Sequence, residues 1–129
     1  MESNNSGPRW NNAPTLDTSV LEELRQYSDE EQDLADELIE LFLEDSPKQL
    51  LALQRAIQNA DLGEVEKRSH RLKGSAGSIG AVRLREICEV LETTARAGTG
   101  PIAASADDDV AAEMDALRKA LSSVHNRTP

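Results

Sequence analysis

With 129 residues the chain is long enough for one domain with a modest core, and its Ala-, Leu- and Glu-rich make-up favours helix over sheet, Trp10, Tyr27 and Phe42 being its only aromatics. A formal net charge of −10 argues against nucleic acid, whose phosphates need a basic surface, and would steer the domain toward positively charged partner patches. The single cysteine, Cys88, excludes an internal disulfide and points to a reducing compartment, the cytoplasm, while no apolar run approaches the roughly 20 residues that span a bilayer.

Residues 1–15 are rich in Asn, Ser, Gly and Pro, carry no evident secretory signal, and read as a flexible tail in which Trp10 is a loose hydrophobe. Asp17 can cap a short helix to about Tyr27, with Val20, Leu21 and Leu24 inward. Ser28 and Glu31 have capping-box spacing and predict the start of the next helix, with Leu34, Leu38 and Leu41 as its buried stripe. Pro47 either begins a fresh helix after Ser46 or kinks one long helix over about 29–60. Between Leu34/Leu38/Leu41 and Leu50/Leu53/Ile57 the stripe shifts by roughly 80°, which predicts a kink or short break.

Asp61 and Glu64 cap a helix running to about Ser78, and Gly80 ends it. The next helix spans 82–97 with Leu84, Ile87, Cys88, Leu91 and Ala95 inward, Cys88 serving as a small buried hydrophobe. Residues 98–101 (Gly-Thr-Gly-Pro) stop it, and an alanine-rich loop follows. Asp107, Asp108 and Asp109 favour the N-terminus of a last helix over about 107–124, whose core positions are Val110, Met114, Leu117 and Leu121. The pieces define an all-α fold, an antiparallel up-down four-helix bundle over residues 16–125, with the short N-terminal helix packed on one end and a tail at 126–129.

The most informative stretch is Ser69-His70-Arg71-Leu72-Lys73-Gly74-Ser75-Ala76-Gly77. On a helical wheel Leu62, Val65, Ser69, Leu72, Ala76 and Ile79 share one face, and His70 lies about 140° from its middle, in solvent. Gly74 and Gly77 flank the histidine, although each glycine inside a helix costs about 1 kcal/mol relative to alanine. Helix stability is given up to keep the ring uncovered. Near neutral pH an exposed imidazole is largely uncharged and can take a phosphoryl group on a ring nitrogen. Lys73, one turn on, and Lys67, one turn back, can pair with the phosphoryl oxygens. Glu66 is a candidate to orient the other ring nitrogen, with a solvated surface role as the alternative.

His70-Arg71-Leu72-Lys73-Gly74-Ser75-Ala76, with Gly80-Ala81, Leu84, Cys88, Leu91-Glu92 and Arg96 downstream, resembles the histidine-containing phosphotransfer (HPt) domain family over about residues 16–124. Leu38-Ile39-Glu40-Leu41-Phe42-Leu43 and Ser46-Pro47-Lys48-Gln49-Leu50 match its lead-in. The resemblance implies one long helix through Pro47, hence a kink. It also implies a phosphocarrier of a multistep two-component phosphorelay, in which His70 takes a phosphoryl group from a receiver aspartyl phosphate and passes it to another response regulator. The partners implied are receiver domains of hybrid sensor kinases and response regulators. The receiver supplies Mg²⁺ and the acidic pocket, so no cofactor and no catalytic site are expected on this chain. Arg71 occupies a slot the family leaves variable; with Gly74, Gly77 and Ser75 it makes up the access and docking face. Ile39 and Leu43, off the inward stripe, are candidates for apolar docking surface or for packing under the N-terminal helix. A second reading keeps the bundle but makes it an adaptor that binds a receiver or kinase without carrying phosphate.

Other patterns are weaker. Asp107 to Asp109 lack the alternating ligands and turn glycine of a calcium loop. His70 and His125 lack neighbouring ligands for zinc, and His125 reads as an exposed end residue, so no metal site is expected. The glycines of 74–80 follow no strand and do not fit a nucleotide loop. A monomer is expected, because one bundle uses up the apolar stripes.

Overall fold

The computed structural model describes residues 9–31, 33–98, 102 and 105–125. It contains the helices α1 (Ser19–Gln26), α2 (Leu34–Gln58), α3 (Leu62–Ile79), α4 (Val82–Ala97) and α5 (Ser105–Val124), with no strand among the described residues. The last four form the bundle: α3 lies against α2 and α4, and α5 closes the ring against the same two helices. α1 packs on α2 and α3 across the end where α2 and α4 begin and α3 and α5 finish. None of these helices is long and apolar enough to cross a membrane.

Part of the expected tail is docked. Arg9–Asn12 form a 3-10 turn on α4, and Trp10 is half-buried against the core. The Arg83 backbone N–H donates to the Pro14 carbonyl at 2.9 Å, and Arg83 Nε to the Ala13 carbonyl at 2.8 Å. A polar composition concealed one large apolar side chain. Residues 1–8, 126–129 and most of the alanine-rich loop lie outside the described residues.

α2 departs most from expectation. Its N-cap is Asp33, whose carboxylate accepts from the Asp36 N–H at 3.1 Å. Ser28 instead joins α1 to α2, donating to the Leu24 carbonyl and accepting from the Leu34 N–H. The buried stripe is Ala35, Ile39, Phe42, Ser46, Leu53 and Ala56, not Leu34, Leu38 and Leu41; Leu41 is 63 % exposed. At about 100° per residue those six positions stay in phase throughout, so the apparent shift disappears and α2 runs unbroken through an exposed Pro47. Ile39 is fully buried and cannot serve a docking surface, and Leu43 is half-buried against the core.

α3, α4 and α5 follow their sequence signals, whereas the N-cap of α1 is Thr18, with no side-chain cap bond, and the expected cap Asp17 accepts from the Ser19 N–H at 3.0 Å. Asp61 caps α3 by accepting from the Glu64 N–H, and Gly80 and Gly98 end α3 and α4 in the left-handed region at φ 86° and 64°. The inward positions expected for α4 and α5 are all buried, and α5 starts two residues earlier than expected, which buries Ala106. His125 is not a free end residue. Its Nε2 lies 2.8 Å from a Glu40 carboxylate oxygen and its side chain is largely covered, because α5 ends beside the first turns of α2.

Candidate functional site

α3 buries Val65, Ser69, Leu72, Ala76 and Ile79, which turns the opposite face outward. His70 stands on that face with 68 % of its side chain exposed. Its Nδ1 lies 2.9 Å from Oε2 of Glu92 on α4. Glu92 is only 4 % exposed, and Lys73 Nζ lies 2.6 Å from its Oε1 while Arg96 Nη2 lies 2.6 Å from its Oε2. Burial acts on this carboxyl most strongly and pushes its pKa up, but the hydrogen bonds and charges of Lys73 and His70 together outweigh it, leaving the group below its usual 4.5. An ionised carboxylate only accepts hydrogen bonds, so His70 Nδ1 carries the proton and donates it. Nε2 is thereby left with its lone pair toward solvent. Glu92 fixes the tautomer.

Lys73 is held by an ion pair with Glu92 at 2.6 Å and a hydrogen bond to Glu89 at 2.9 Å, which raise its pKa above 10.5. An ammonium has three N–H donors; one is bonded to Glu89 and Glu92 is met as an ion pair, so donor capacity remains for an incoming anion. Glu66, the candidate orienter, does not touch the ring: it accepts from Arg96 Nε at 2.8 Å. From α3 the nearest acid on the α4 side is engaged by that guanidinium, and the orienting role falls to Glu92 across the helix interface. Lys67 and Arg71 are exposed, and Ser75 is bonded to Gln49 of α2 at 3.1 Å.

The glycines are not demanded by packing. A Cβ at Gly74 would meet nothing within 4 Å, and one at Gly77 would make only ordinary contact, 3.7 Å, with Arg85 Cδ. Both positions are exposed helix interior, where alanine would fit and favour the helix. What they leave is open space beside His70. Cys88, beneath the site, is pushed up to about 12 by burial, which makes it an inert thiol rather than a competing nucleophile. Among the described residues, no group of three or more His, Cys, Asp or Glu side chains is arranged to hold a metal ion.

Glu92 was legible in principle. It falls four residues after Cys88, on the edge of the apolar stripe Leu84, Ile87, Cys88, Leu91 and Ala95. A buried acid needs partners for its charge, and these are Lys73, His70 and Arg96.

An outward histidine on a four-helix bundle, anchored through one nitrogen and open at the other, is the geometry of a phosphoryl-carrying module. The chain belongs to the Hpt domain family, whose model matches residues 37–120. It is similar to histidine-containing phosphotransfer protein 1 of Arabidopsis thaliana, with 37% identity over 81 residues, covering 60% of this chain and 52% of the relative. It is also similar to multistep phosphorelay regulator 1 of Schizosaccharomyces pombe, with 27% identity over 78 residues, covering 60% of this chain and 26% of that protein. The match thus spans about half the length of the plant relative and a quarter of the yeast one. The crystal structure of histidine-containing phosphotransfer protein B from Pseudomonas aeruginosa PAO1 superposes with a TM-score of 0.79 at 30% identity, covering 91% of this chain and 99% of that one.

Proposed function

We propose that this protein is a histidine phosphocarrier of a multistep two-component phosphorelay. His70 Nε2 attacks the phosphorus of a receiver aspartyl phosphate; the N–P bond forms, the P–O bond to the aspartate breaks, and the carboxylate leaves. The reverse reaction with a second receiver unloads it. The single observation that carries this reading is the exposed His70 ring held at Nδ1 by buried Glu92.

Attack by neutral Nε2 places positive charge on the ring, and the Glu92 carboxylate stabilises it where it develops. Lys73 offers its remaining donor to the phosphoryl oxygens, and Lys67 adds charge from the preceding turn. Phosphoryl transfer is mostly positioning and charge neutralisation, and this side of it is what the chain supplies. The reading assigns Mg²⁺ and the acidic pocket to the receiver, no catalytic site or cofactor to this chain, a monomeric state in the cytoplasm, and no role for nucleic acid.

The test is incubation with phosphorylated receiver domains, comparing wild type with His70→Gln. Wild type is expected to take up an acid-labile, alkali-stable label, and the variant none. Equal receiver binding by both, with label in neither, would establish the adaptor instead.

A further inference from the structure

The two flanks of His70 differ in how their charges are used. Toward α4 every cation is engaged: Lys73 with Glu89 and Glu92, Arg96 with Glu66 and Glu92. Toward α2 Arg68 is paired with Glu64, but the other cations are free. Lys67 and Arg71 on α3 and Lys48 and Arg55 on α2 are exposed, and none has an ion-pair partner among the described residues. A Gln49–Ser75 hydrogen bond links the two helices, and two shallow depressions between them share Ala52 and Arg68, making one groove. The acids bordering it are already occupied: Asp45 accepts from Gln49, Asp61 caps α3, and Glu64 pairs with Arg68. On a chain of net charge −10 this is a local surplus of positive charge.

We infer that this basic α2–α3 flank is the surface by which the protein selects its receiver, by pairing with an acidic patch at the rim of the receiver's phosphorylation site. The inference rests on the phosphocarrier reading. Lys67 and Arg71 lie within one helical turn of His70, so any domain that brings an aspartyl phosphate to Nε2 covers them. A neutral or basic covering surface would desolvate unpaired cations, which is costly; an acidic one pairs them and steers the approach. The negative remainder of the molecule disfavours nucleic acid as the occupant.

The experiment uses the full chain and the receiver domain that labels His70 fastest, phosphorylated with acetyl phosphate. Lys48→Glu/Arg71→Glu is compared with Arg118→Glu/Lys119→Glu, an equal charge change on exposed α5 positions. The second-order transfer rate of the groove variant is expected to fall roughly tenfold or more at low salt. The deficit is expected to vanish near 1 M salt, where screening is effective within about 3 Å. The α5 variant should transfer like wild type. Equal loss in both variants, or loss in neither, overturns the inference while leaving the label on wild-type His70 intact. Binding of a labelled DNA duplex by wild type, abolished in the groove variant, overturns it as well. Absence of any label on wild type would instead be failure of the phosphocarrier reading itself.

Discussion

Gly74 separates function from stability. Its helix is intact around it and nothing lies within 4 Å of where a side chain would begin, so the fold gains nothing from glycine there. Gly74→Leu is therefore expected to raise stability by about 0.5–1 kcal/mol, measured by urea denaturation. The same variant should lower the rate of His70 phosphorylation at least about tenfold, because a partner held away from Nε2 loses its attack geometry. A variant that is more stable and equally fast would remove the access argument. The outward placement of His70, Gly74 and Gly77, with Lys73 at the edge of that face, is legible from spacing, since glycines there have no packing explanation. The role of Glu92 is not legible in the same way, because the histidine and lysine it meets are on another helix and wheel geometry does not cross an interface.

At the scale of elements, the sequence is read well where the apolar stripe is made of large residues and poorly where it is not. α4 and α5 bury the Leu, Ile, Val and Met positions that their periodicity marks. α2 buries Ala35 and Ser46, which carry little hydrophobic signal, and leaves Leu41 outside, so the most conspicuous leucine repeat is one residue out of phase with the core. The α3–α4 junction shows the opposite case, a turn whose residue is dictated. Gly80 sits at φ 86°, and a Cβ there would lie 2.4 Å from the Asp17 carbonyl oxygen, while the Gly80 carbonyl accepts from the Asp17 N–H at 2.8 Å. Gly80→Ala must move the N-terminal arm away and strain the cap. A loss of about 2–4 kcal/mol is expected in thermal or urea unfolding.

Over the whole molecule, two buried glutamates give opposite pH dependence. Glu92 is held below 4.5, so its contribution to stability is in place above that value and is lost as pH falls through 4.5 and then through its folded pKa. Glu113, on α5, is pushed above 4.5 by burial, which the Arg83 guanidinium 3.7 Å away only partly offsets. Its ionisation opposes folding as pH rises through 4.5 toward its folded pKa. Glu92→Gln should therefore melt several degrees below wild type at neutral pH, on the scale of about 1 kcal/mol, and the gap should narrow as pH falls below 4.5. Glu113→Gln should melt no lower than wild type at neutral pH, and any advantage should shrink in acid. Thermal melts across the acid range check both signs, and a Glu92→Gln gap that widens on acidification contradicts the first.

Arg25 places one guanidinium among three parts of the chain: Nη1 meets Asp33 at 2.6 Å, and Nη2 meets Asp36 at 3.2 Å and the Val124 carbonyl at 2.7 Å. The last turn of α5 and the first turn of α2 are thus buckled to a helix near the start of the chain. A cut that removes the first helix would release the last turn of α5 from this clasp, although nearly a hundred residues separate the two along the backbone.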